Sequence, residues 1–172
     1  GLITGALFLL VGVIYERAHT RDIKQLGALG KISPVYYGFM TLTVFASLGL
    51  PGLAGFISEF MSFRGAFGVG LETGNTALVI LTFIALLGIV FTAALFLWKV
   101  IQQVFLVLKK RNEATGTEED LYERWKSLPD MAGWEIISLT PLVLLFIFFG
   151  LYPSPLLNLI NVGVLQVLEL MG

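Results

Sequence analysis

Ala46-Ser47-Leu48-Gly49-Leu50-Pro51-Gly52-Leu53-Ala54-Gly55-Phe56-Ile57-Ser58-Glu59-Phe60 is an apolar stretch that breaks in its middle and carries one acid. It lies within a longer run, residues 34–68, that would reach about 52 Å as one straight helix at about 1.5 Å per residue, against a hydrocarbon core of about 30 Å. A break is required. Pro51 has no N–H to give to the carbonyl of Ser47, and Gly49 and Gly52 loosen the turns on either side. The freed backbone groups must then find protein or water. The run is either a hairpin of two short spans, 34–50 and 53–68, or a single crossing made by a broken helix.

Working outward, 56% of residues are hydrophobic and only 13% are charged. The mean hydropathy is +0.86. Too few polar groups remain to cover a soluble globule, so the chain reads as an all-α integral membrane protein, a transmembrane helix bundle with one broken helix. Five of the eleven basic residues lie between Lys109 and Lys126 and four more between Arg17 and Lys31. The connection Gly68–Asn75 carries Glu72 and no Lys or Arg. One crossing by a broken helix puts both basic loops on one side, and the positive-inside tendency favours that choice over the hairpin.

The expected layout is therefore transmembrane helices over 1–17, 34–50/53–68, 77–108 and 134–152, a cytoplasmic loop over 109–131, and an interfacial tail over 153–172. Within the loop, Thr117-Glu118-Glu119-Asp120 is expected to open a short surface helix with acids in its first turn. The chain opens Gly1-Leu2-Ile3, already inside an apolar run, and is expected to be the C-terminal part of a longer protein.

Glu59 is the leading candidate for chemistry. A carboxylate at membrane depth costs roughly 2.5–3.5 kcal/mol on insertion scales, so it reads first as an ion or proton site. Low dielectric disfavours its charged form, and water admitted at the Pro51–Gly52 break would let it take and release a proton. The structural alternative is a protonated, inert acid tied to Ser58, Ser62 or a neighbouring helix. Lys99, beside Trp98, is a possible second relay or a lysine that snorkels to the interface. Arg64 stands five residues beyond Glu59, outside the three- or four-residue spacing of a helical pair, and is expected to reach the interface. His19 lies among Glu16, Arg17 and Asp22 in a loop, where a solvated or capping role is expected. Gly1-x-x-x-Gly5 and Gly52-x-x-Gly55 offer small surfaces for close helix packing.

Several classes are excluded. With no cysteine and a single histidine, the chain has no ligand set for an iron–sulfur cluster and no paired haem or zinc site. There is no phosphate loop or dinucleotide fingerprint, and the basic loops are too small and too mixed in sign for nucleic acid. Any redox chemistry belongs to another chain.

Leu7-Phe8-Leu9-Leu10-Val11-Gly12-Val13-Ile14-Tyr15-Glu16-Arg17-Ala18-His19-Thr20-Arg21-Asp22, the 46–60 stretch and Gly150-Leu151-Tyr152-Pro153-Ser154-Pro155-Leu156 together resemble one family. It is the subunit M, or chain-4-type, family of antiporter-like subunits of proton-pumping NADH:quinone oxidoreductase, respiratory complex I. The resemblance implies a fourteen-helix subunit with two inverted five-helix repeats, each holding one broken helix, of which this chain resembles helices eleven to fourteen. Glu59 matches the carboxylate on the second broken helix, where the sister L-type subunit carries lysine. Ser58 stands where the family more often has glycine. The family also places a histidine just before the Gly1-Leu2 equivalent, outside this sequence.

By implication the function is proton translocation through a buried glutamate relay, coupled to electron transfer elsewhere. NAD, FMN and iron–sulfur clusters are then expected in partner subunits and no cofactor in this chain. The other membrane-arm subunits and lipid are its expected neighbours, quinone binds elsewhere in the complex, and the location is multi-pass in the cell inner (plasma) membrane. The rival readings are a subunit of a multisubunit cation/proton antiporter or membrane-bound hydrogenase, or a non-transporting membrane scaffold.

Overall fold

The structure is a computed structural model that describes residues 1–111 and 118–171; residues 112–117 of the expected loop, including Thr117, do not, like Gly172, fall within the described residues. Helix α1, Leu2–Ala18, stops where His19 turns left-handed at φ 52° and returns its N–H to Tyr15. A loop and the single turn α2, Leu29–Ile32, lead to α3, Pro34–Ser47, which Pro34 opens at a position where its missing N–H costs nothing. The segment 48–53 separates α3 from α4, Ala54–Glu72. Gly49 and Gly52 there adopt φ of 66° and 91°, conformations that glycine takes without penalty. The two helical halves thus run 34–47 and 54–72, beside the expected 34–50 and 53–68.

Gly74, also at positive φ, turns the chain into α5, Thr76–Phe96, and the Asn75 side chain accepts from the Leu78 N–H at its start. The helix does not end at Phe96. It continues as a π-helical stretch, Leu97–Leu106, so that one 31-residue rod runs from Thr76 to Leu106. At its beginning the rod packs against α4, with Val79 facing Gly70 and the Phe67 and Phe83 rings edge-on at 5.9 Å. Near its end the Phe105 ring lies 5.6 Å from Tyr36 and 5.0 Å from Tyr37, at the start of α3. The rod therefore packs along α4 at its beginning and meets the start of α3 near its end.

The basic loops meet at one end of the bundle. Lys110 donates from Nζ to the carbonyls of Ile23 at 2.9 Å and Leu26 at 2.8 Å, and Arg17 donates to those of Pro129 and Asp130. Burial pulls the Lys110 ammonium below the ordinary lysine value, and nearby Asp22 opposes the shift.

The acids expected to open a helix instead form a strand. Lys109–Arg111, β1, and Glu118–Asp120, β2, pair antiparallel with Lys109 opposite Asp120, Lys110 opposite Glu119 and Arg111 opposite Glu118. The backbone groups pair across the ladder while Lys110 is drawn to loop carbonyls and Glu119 to Arg124, so these acids serve a strand and not a helix first turn. The helix begins only at α6, Leu121–Trp125, where Asp120 caps by accepting from the Tyr122 and Glu123 N–H groups.

Helix α7, Gly133–Leu151, passes through Pro141 without stopping, and α8, Ser154–Met171, covers the expected tail as a helix. The buried core gathers Ala6, Leu10 and Ile14 of α1, Met40 and Val44 of α3, Leu139 and Phe146 of α7, and Phe105. By contrast α5 leaves Leu81, Phe83, Leu87 and Phe91 exposed. Among the described residues, Thr76–Leu106 and Gly133–Leu151 are long and apolar enough to cross a membrane.

Candidate functional site

Helix α4 starts immediately after the break, and its second turn carries Glu59 back toward it. The side chain is half-buried in a cavity of about 490 Å³ between the break, α4 and α5. Leu48 and Gly49 of the break, Phe56 and Phe63 of α4, and Thr82 and Leu86 of α5 contribute to its wall. The carboxylate rests directly on Gly49: a Cβ built there would collide with it, and the left-handed φ of 66° independently excludes most other residues. Glycine is required at that position twice over.

Among the described residues no donor reaches the Glu59 carboxylate, and it forms no ion pair. Thr82, in the same wall, gives its hydroxyl to the Leu78 carbonyl at 2.8 Å. Arg64 lines the cavity but its side chain is exposed. Ser58 and Ser62 are exposed and turn back on their own helix, donating to the carbonyls of Gly55 at 2.9 Å and Ser58 at 2.8 Å. The structure does not bring either hydroxyl to Glu59. Lys99 is exposed on the π-helical stretch, with Nζ 5.5 Å from the Trp98 ring centre, and takes no part in the cavity wall. His19 ends α1 and stands edge-on to the Tyr15 ring.

Pro51 is exposed at the tip of the break, while Gly52 is held from the side. A Cβ on Gly150 of α7 would run into the Gly52 carbonyl oxygen and the Leu53 backbone, and one on Gly55 into the Ala46 carbonyl. Small residues let α7, the end of α3 and the start of α4 approach backbone to backbone.

A second polar centre was not among the sequence candidates. Glu135 is 2% exposed, and Arg17 grips it with both arms of the guanidinium, Nη1 to Oε1 at 2.8 Å and Nη2 to Oε2 at 2.7 Å. The Ala132 N–H adds a third donor at 2.7 Å. Next to it, Asp130 accepts from the backbone N–H groups of Val35 and Tyr36, capping α3 from a distant part of the chain. Only the position of Glu135 one residue after the interfacial Trp134 hinted at it, since its partner is 118 residues away.

Comparison with known proteins places this geometry. The family model for the NADH:quinone oxidoreductase/Mrp antiporter transmembrane region matches residues 1–100. The chain belongs to that family. Subunit M of NADH-quinone oxidoreductase from Rickettsia conorii is 39% identical over 168 residues, 95% of this chain and 29% of that protein. NADH-ubiquinone oxidoreductase chain 4 of Chondrus crispus is 32% identical over 172 residues, covering 100% of this chain and 31% of its own length. The chain thus spans under a third of these relatives. A chain of the Mrp complex from Dietzia sp. DQ12-45-1b shares the fold, with a TM-score of 0.59 at 19% identity over 92% of this chain and 34% of that one. The resemblance to subunit M seen in residues 7–22 and 46–60 is borne out, as are the helical antiporter-like fold and the membrane location.

Proposed function

We propose that this chain forms part of a proton-translocating membrane subunit of NADH:quinone oxidoreductase, with Glu59 as its proton-carrying group. The observation that carries the reading is the seat of Glu59: a largely apolar cavity one turn past a helix break, where the carboxylate receives no hydrogen bond from the described residues. Apolar walls disfavour a bare charge, and a charge brought near such a site changes which protonation state is preferred. Proton occupancy at Glu59 then follows the electrostatics of its surroundings, and water entering at the break supplies the path. No bound cofactor is needed for that step.

The electron-transfer chemistry lies in partner chains, which would hold NAD, FMN and iron–sulfur clusters, with quinone bound elsewhere in the complex. The other membrane-arm subunits and lipid surround this one, as a multi-pass protein of the cell inner (plasma) membrane. A relay role for Lys99 would lie at the loop end of the rod, since it takes no part in the cavity wall. Gene context discriminates: flavin and iron–sulfur subunit genes beside this one would favour the assignment, and their absence would favour a stand-alone cation/proton antiporter.

The test is Glu59→Gln in the full-length subunit within the assembled complex, in sealed membrane vesicles. Protons moved per NADH oxidised should fall strongly while the amount of assembled complex stays level. An unchanged ratio overturns the reading and leaves a membrane scaffold.

A further inference from the structure

Helix α7 buries one stripe, Glu135, Leu139, Val143, Phe146 and Gly150, at spacings of four, four, three and four. Spacings of that kind keep side chains on a single helix face. The stripe begins at the Arg17 ion pair and ends on the backbone of the helix break. Fifteen residues of helix separate the two, about 22 Å. Pro141 removes one hydrogen bond between them, yet the helix runs through to Leu151.

Both ends are over-determined. At the first, two arginine nitrogens and the Ala132 N–H fix the Glu135 carboxylate. At the second, Gly150 touches Gly52 and Leu53 with no room for even a methyl group. A helix pinned at one end and seated at the other transmits a displacement along its axis, because interiors are too densely packed to absorb it. The break it seats is the wall on which the Glu59 carboxylate rests.

We propose that Glu135 and Gly150 are positioning residues, through which α7 sets the place of the Gly52–Leu53 break and so the environment of Glu59. This rests on the reading of Glu59 as a group that exchanges a proton. The groups facing Glu59 leave α7 as a clean control. Arg64 of α4 shares the cavity. Helix α5 carries no ionisable residue, α3 only Tyr36 and Tyr37 in its first turn, and α7 only Glu135 at its far end. A change made on α7 therefore reaches Glu59 by moving the break and not by placing a new charge beside it.

The experiment reads Glu59 directly, by the infrared band of its protonated carboxyl in the assembled complex, assigned by its loss in Glu59→Gln. In Gly150→Ala and in Glu135→Gln the midpoint pH of that band should move by about 0.5 unit or more, roughly threefold in proton affinity. Enough of each variant should assemble for the band to be read, and Arg17→Lys, which keeps the charge, should restore part of the parent midpoint that Arg17→Gln shifts. A midpoint unmoved in the two α7 variants overturns the inference, as does a shift in one without the other. Failure of both variants to assemble also overturns it, since the two residues then serve folding alone, and so does the absence of any band lost in Glu59→Gln. Loss of pumping in Glu59→Gln with an unmoved midpoint in the α7 variants sinks this inference and leaves the proposed function standing. Unchanged pumping in Glu59→Gln, with a band that still shifts in both α7 variants, sinks the proposed function and leaves only the positioning of a titrating Glu59.

Discussion

Glu135 and Glu59 are acids inside the same bundle under opposite conditions. Glu135 receives three hydrogen bonds, two of them from the Arg17 guanidinium at 2.7 and 2.8 Å. Glu59 receives none from the described residues and leans on Gly49 in an apolar cavity. A buried carboxylate that is fully paired keeps its charge in one fixed geometry. One without partners is held by no fixed charge or donor, so its protonation follows the field of its surroundings. Burial alone therefore marks neither site as functional; the count of donors separates the anchor from the proposed relay.

Removing half of the paired site should give the largest loss of stability. Arg17→Ala strands the Glu135 charge and also removes the side-chain donor to the carbonyls of Val13, Pro129 and Asp130. Breaking a buried ion pair from one side costs about 3–5 kcal/mol. Unfolding of the purified complex in mixed detergent should show that drop, and a loss under about 1 kcal/mol would mean the pair is effectively solvated in the native membrane.

Two smaller effects sharpen the view of this end as a set of fixed anchors. Lys110→Ala removes the donor that gathers the carbonyls of Ile23, Lys24 and Leu26. A cost of about 1–2 kcal/mol is expected, with faster amide exchange over residues 23–28. Asp130→Ala removes the acceptor for two N–H groups at the start of α3, worth about 1 kcal/mol, and Asp130→Asn should cost less because one acceptor oxygen remains. Amide exchange at Val35 and Tyr36 reports it. Protection unchanged at both amides would show that water replaces the cap without penalty.

The two acids also differ in how far the sequence revealed them. Glu59 was legible because its signal is local: Pro51 and Gly52 interrupt an apolar run within eight residues of it. The Arg17–Glu135 pair was not, because nothing in either neighbourhood names a partner 118 residues away. The same limit hid the ladder of Lys109–Arg111 with Glu118–Asp120, where each strand alone also suits a loop or a helix turn. Gly150 was read only as part of a family-like ending, since a glycine's use as a contact surface depends on what faces it. The π-helical turns over 97–106 leave no trace in hydrophobic pattern, because the buried residues Ile101, Val104 and Phe105 fit an α-helical face almost as well.

The smallest stability effect should come from the residue proposed to carry the proton. Glu59→Gln keeps the shape and removes only the ability to ionise, and no donor among the described residues is left without an acceptor. Substitutions that disturb neither packing nor a hydrogen bond stay within about 0.5 kcal/mol. In the detergent unfolding assay used for Arg17→Ala, Glu59→Gln should therefore match the parent. Gly49→Ala is its counterpart, because the added methyl strikes the Glu59 carboxylate and also forces alanine into a left-handed conformation. That change should cost about 1–2 kcal/mol in the same assay. A loss above about 2 kcal/mol for Glu59→Gln itself would reveal a partner that holds the carboxylate in the whole complex. Glu59 would then belong with Glu135 as an anchor, and the distinction between the two acids would be lost.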